Sequence, residues 1–133
     1  MPVNGSWYNA EKTVRWTTFV DPWSFAEFVA YREQSLREID EVQHEVISVW
    51  DLSGSRALPN GALSFFQREG GQTHANVVQH VAIISHHPFM RIMARMLTSL
   101  PSTLSKKLYI VQSPEEAQAY IASLTAEPVP ATE

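Results

Sequence analysis

Continuous apolar runs alternate along this chain with apolar stripes of helical period, and that order predicts a sheet covered by helices. His44–Asp51 carries Val46, Ile47, Val49 and Trp50, and Val77–Ser85 is centred on Val81-Ala82-Ile83-Ile84. Strands so uniformly apolar belong in a largely parallel sheet with both faces covered. A shorter run, Lys107–Val111, predicts a last strand. At the other end, Ser6-Trp7-Tyr8 and Thr13–Val20 are extended segments joined by the polar Asn9-Ala10-Glu11-Lys12, which predicts a hairpin and an antiparallel first strand.

Helical stripes fill the intervals. Asp21 reads as an N-cap followed by Pro22 at the first helical position, opening a helix with Phe25, Phe28, Val29, Leu36 and Ile39 on one face. Its other face, with Glu27, Arg32, Glu33, Arg37 and Glu38, reads as solvated, as do Asp40 and Glu41 at its end. A second helix is expected over Asn60–Glu69, with Leu63 and Phe66 facing inward and Gly70-Gly71 ending it. A third begins at Pro88 and stops at Leu100-Pro101. Ser113-Pro114-Glu115-Glu116 has the form of a capping box and opens a fourth helix running to about Leu124. The predicted order is β-β-α-β-α-β-α-β-α: an α/β fold of about five strands and four helices. One domain spans residues 1–126, and Glu127–Glu133, with two prolines, reads as a disordered tail.

The chain has 133 residues, 44% of them hydrophobic and 18% charged, enough for one domain with a real core. A net charge of -4 and a single pair of adjacent basic residues, Lys106-Lys107, argue against nucleic acid as partner. No cysteine is present, so disulfides, thiolate nucleophiles and cysteine-ligated zinc are excluded. The segment Met1–Lys12 lacks the basic and apolar regions of a signal peptide, and no apolar window is long enough to cross a bilayer. A cytoplasmic protein with no membrane insertion is expected.

The stretch Val46–Phe66 carries the most information about function. A strand ends at Asp51, a polar loop follows, and Pro59-Asn60-Gly61 opens the next helix, which places polar groups at the carboxyl edge of the sheet. His86-His87 ends the next strand at the same edge. Asp51, Ser53, Ser55, Asn60 and Gly61, with His86 and His87 as neighbours, are therefore the candidate binding residues. Asp51 would hold the loop, the two serines would offer hydroxyls, and Asn60 with Gly61 would present the helix start. Catalysis has little support. There is no GxSxG elbow, and an enzyme built on Asp51 and His87 rests on no motif. His74 and His80 have no third ligand in any recognised spacing, so no metal and no cofactor is expected. Trp16, Trp23 and Trp50 read as core, whereas Trp7 and Phe65 read as candidates for an exposed patch. Met90, Met93 and Met96, three residues apart, suit either a core stripe or an adaptable groove.

Asp51-Leu52-Ser53-Gly54, together with the element order from about Ser6 to Leu124, resembles the STAS domain of bacterial anti-sigma factor antagonists. In that family an Asp-Ser-Ser-Gly-Leu turn follows at the start of the next helix. Here Pro59-Asn60-Gly61-Ala62-Leu63 occupies the turn, so that only the leucine is kept and the family's phosphorylated serine falls on Gly61. The resemblance implies a non-enzymatic regulatory or scaffold module without the serine switch, binding a protein partner or a small ligand through the surface around this loop. An exposed patch at Trp7 and Phe65 would favour a partner surface or a homodimer. A different class of function is a carrier of a small hydrophobic molecule or lipid, in a pocket lined by Trp50, Phe65, Phe66, Phe89 and Met93.

Overall fold

A computed structural model describes residues 3–55, 61, 64–65, 68, 76–84, 88–99 and 108–125. Its elements are β1 (Val3–Trp7), β2 (Val14–Phe19), α1 (Phe25–Asp40), β3 (Val46–Leu52), β4 (Val77–Ile84), α2 (Pro88–Thr98), β5 (Leu108–Val111) and α3 (Pro114–Thr125). The five strands lie in one sheet in the order β1-β2-β3-β4-β5, β1 antiparallel to β2 and the rest parallel. The expected α/β architecture with an antiparallel first strand is therefore present. Three helices are described; most of the expected helix at Asn60–Glu69 lies outside the described residues. Within it, the Phe65 N–H donates to the Gly61 carbonyl at 2.9 Å. No helix among the described residues is long and apolar enough to cross a membrane.

Local chemistry sets the element ends. In the hairpin, the Asn9 side-chain carbonyl accepts from the Thr13 and Val14 N–H groups at 3.0 and 3.3 Å, doing the work of a turn peptide. Helix α1 begins later than the sequence suggests. Its N-cap is Ser24 rather than Asp21: the Ser24 hydroxyl accepts from the Glu27 N–H and the Glu27 carboxylate accepts from the Ser24 N–H. This reciprocal pair satisfies two donors, where Asp21-Pro22 offers only one side of the arrangement. Ser113 caps α3 as expected, accepting from the Glu116 N–H at 3.1 Å.

The sheet is buried on both faces. On one, α3 lays Ala117 and Ile121 over Val14, Ile47, Val49, Val81, Ile83 and Val111. On the other, Phe28 of α1, Met90 of α2 and Phe65 close over Val3, Phe19 and Leu52. Phe65, expected at an exposed patch, is buried instead, with its ring stacked on Phe25 at 4.3 Å. Aromatic pairing of this kind adds to the stabilisation from burial, which is about 1.5–3 kcal/mol for a side chain of this class. Of the methionines, Met90 and Met93 are core and Met96 faces out.

A charged side chain, that of Arg15, sits in this interior. Arg15 of β2 points at α1, where its Nε donates to the Tyr31 hydroxyl at 3.2 Å and its Nη1 pairs with Glu38. The Tyr31 hydroxyl also lies 2.9 Å from Thr17 Oγ1. Glu38, expected to be solvated, is thus the counter-ion of a buried guanidinium. Gly5 makes room for this cluster: a Cβ there would lie 2.3 Å from the Tyr31 hydroxyl and 2.4 Å from the Trp16 carbonyl.

Candidate functional site

The parallel register brings two loops together at the carboxyl edge. Thr18 of β2 stands beside Asp51 of β3, so the segment after Phe19 and the segment after Leu52 leave the sheet side by side. Asp51 ties its own loop. Its Oδ1 accepts from the Ser53 N–H at 3.1 Å and from the Ser53 hydroxyl at 2.5 Å, and its Oδ2 accepts from the Trp16 indole N–H at 3.3 Å. Both carboxylate oxygens are thereby engaged, one by the turn and one by the neighbouring strand.

Ser55 closes the arrangement from inside. It is 0% exposed; its Oγ accepts from the Trp23 indole N–H at 3.0 Å and donates to Asp21 Oδ1 at 3.0 Å. Its hydroxyl therefore joins the two loops rather than facing solvent. Ser53 is exposed at the rim, and Gly61, exposed as well, has φ 83°, a left-handed conformation in which a side chain is strained. The structure thus groups Asp51, Ser53 and Ser55 at one edge; Asn60, His86 and His87 lie outside the described residues. Three participants went unread in the sequence: Asp21, Trp23 and Trp16. Asp21 and Trp23 were assigned to a helix start and to the core. Their proximity to Ser55 follows only from adjacency of β2 and β3.

Helix α2 starts at this edge, just past the end of β4, and presents an outer face of mixed character. Ile92 is 58% and Met96 42% exposed, with Arg91 and Arg95 exposed beside them. No acidic residue interrupts the helix, whose sequence is PFMRIMARMLT.

The opposite edge carries a cleft of about 430 Å³ lined by Thr13, Glu45, Ile47, Val78, Gln79 and Leu124. Above it, the Tyr120 hydroxyl donates to Gln79 Oε1 at 3.3 Å and its ring stacks on Tyr109 at 3.9 Å. Burial, and then the neighbouring Tyr109 phenol, raise the Tyr120 pKa above the ordinary 10.0. Of the residues expected to line a carrier pocket between helix and sheet, Phe65 packs on Phe25 and Phe28, and Trp50 meets Phe28 edge-on at 6.3 Å; Phe66 lies outside the described residues. Among the described residues, no group of three or more His, Asp or Glu side chains is placed to hold a metal ion. Compared with family models, curated proteins and solved structures, the chain matches none.

Proposed function

We propose that this chain is a non-enzymatic, STAS-like regulatory or scaffold module that binds a protein partner at the carboxyl edge of its sheet and along the outer face of α2. The observation that carries this reading is the exposed pair Ile92 and Met96, flanked by Arg91 and Arg95, on a helix that starts at that edge. Apolar anchors bordered on one side by cations suit a partner surface with apolar side chains beside carboxylates. The engagement of Asp51 supports the same reading. A carboxylate whose two oxygens accept hydrogen bonds from Ser53 and Trp16 holds the shape of this surface. Gly61, at the family's phosphoserine position, offers no hydroxyl, so regulation by phosphorylation at that position is lost.

The test is affinity capture from the parent cells with the wild type and with I92S/M96S and R91E/R95E variants, each verified as folded by circular dichroism. A polypeptide retained by the wild type and lost with both variants is expected. Retention unchanged by both variants refutes the assignment of the surface.

A small-ligand carrier is the second reading, and the cleft at Thr13, Glu45 and Gln79 is what favours it. Native mass spectrometry of protein from its own cells separates the two. A small mass lost on denaturation supports the carrier, and an apo mass with a bound polypeptide supports the interaction module.

A further inference from the structure

Among the described residues, the outer strands of the sheet are β1 and β5. At four residues β5 is short, which is one common way an edge is kept from pairing. β1, Val3–Trp7, carries no charge and no proline, and its register with β2 has no bulge. The Tyr8 N–H donates to the Val14 carbonyl at 2.8 Å, which fixes the phase of the ladder. Asn4 and Ser6, in phase with Tyr8, aim their main-chain groups at β2. The N–H and C=O groups of Val3, Gly5 and Trp7 consequently point away from the sheet.

We propose that β1 pairs antiparallel with β1 of a second copy, about a two-fold axis normal to the sheet and midway between the two facing Gly5 residues, making one continuous sheet of two five-stranded halves. The side-chain order selects a second copy over an arbitrary strand. With Gly5 opposite itself, the three outward positions form three hydrogen-bonded pairs, and Val3 stands opposite the partner's Trp7. Trp7 is only half-buried in the single chain, against the Arg15 guanidinium at 5.4 Å, and this pairing extends its apolar cover. On the other face Asn4 stands opposite the partner's Ser6, two short neutral polar groups with no like charges opposed. An isologous contact of this kind closes on itself and leaves no further edge of the same type. It also leaves α2 and the carboxyl edge uncovered, so it does not depend on the reading of that surface.

Sedimentation velocity over a concentration series tests it, using the wild type, N4K/S6K and N4K/S6E. Both substituted positions are exposed, and circular dichroism checks each fold. The wild type is expected to be a dimer. N4K/S6K puts two ammonium groups opposite each other twice per dimer and is expected to raise the dissociation constant about tenfold or more. N4K/S6E puts an ammonium opposite a carboxylate in the same two places and is expected to keep the dimer. Amide exchange of Gly5 and Trp7 is expected to slow as concentration rises. A wild type that stays monomeric up to its solubility limit, or a dimer on which the two double variants act alike, overturns the pairing.

Discussion

The buried ion pair between Arg15 and Glu38 allows a quantitative prediction. The Arg15 side chain is 3% exposed and Glu38 32% exposed. Removing the carboxylate by Glu38→Ala strands a guanidinium that cannot rehydrate, a change that costs 3–5 kcal/mol when both partners are fully buried. Glu38 is a third open to water, which screens the pair. Arg15 also keeps the Tyr31 hydroxyl at 3.2 Å and the faces of the Trp7 and Tyr31 rings at 5.4 and 5.7 Å. The expected loss is therefore about 2 kcal/mol. Arg15→Met removes the buried charge itself and leaves a carboxylate that water can reach. Its cost is about 1 kcal/mol, from packing and the lost hydrogen bond to Tyr31, since water replaces Arg15 at the Glu38 carboxylate. The double variant contains no stranded charge, so it is expected near 1 kcal/mol rather than the sum, a coupling of about 2 kcal/mol. Urea denaturation followed by tryptophan fluorescence measures all three, and the midpoint of thermal unfolding should move by about 3–5 °C per kcal/mol at this chain length. An additive double variant, or a Glu38→Ala cost below about 0.5 kcal/mol, refutes the argument that Arg15 depends on this counter-ion.

Two further predictions concern the carboxyl edge and the tyrosine pair. Ser55→Ala leaves the Trp23 indole N–H without its acceptor in a buried position and is expected to cost about 1–3 kcal/mol in the same urea assay, because the solvent-exposed Asp21 rehydrates and the indole does not. Tyr120 is expected to ionise above pH 10.0, read as tyrosinate absorbance, and Tyr109→Phe should lower its pKa towards the ordinary value. The sign follows from proton uptake. The unfolded phenol ionises first, so this group's contribution to stability is present below pH 10.0 and is lost as pH rises through the folded-state pKa.

Much of the fold is legible in the sequence because its signals are local and redundant. Val46-Ile47 and Val81–Ile84 are too continuous to be anything but covered strands, and a parallel sheet follows from helices between them. Ser113 announces α3 by its own side chain. The helix start at Ser24 was misread because two cap signals stand three residues apart. Asp21-Pro22 has the right residues, yet the Glu27 carboxylate reaches back only to Ser24, and that second bond decides the boundary. Phe65 was misread for a related reason. Nothing local to Phe65 indicates that it is covered, and its cover comes from Phe25 of a distant segment.

The candidate site was legible as a place and illegible as a mechanism, and the difference has a physical origin. A strand ending in Asp51 marks an edge, since every parallel strand delivers its carboxyl end to the same side. What the side chains do there depends on the neighbouring loop. Ser55 reads as an available hydroxyl until Trp23 and Asp21, thirty-odd residues earlier, take both its donor and its acceptor. Arg15 makes the same point in the interior. A lone arginine in an apolar strand carries no helical period and no motif, and only the crossing of α1 over β2 supplies Tyr31 and Glu38 to receive it. With Asp51, Ser53, Ser55 and Asp21 so committed to one another, the apolar surface that α2 turns outward, at Ile92 and Met96 with Arg91 and Arg95 beside it, has no share in that network. Surface of that kind lowers its free energy by being covered, which is the physical ground of the proposal that a partner docks along α2.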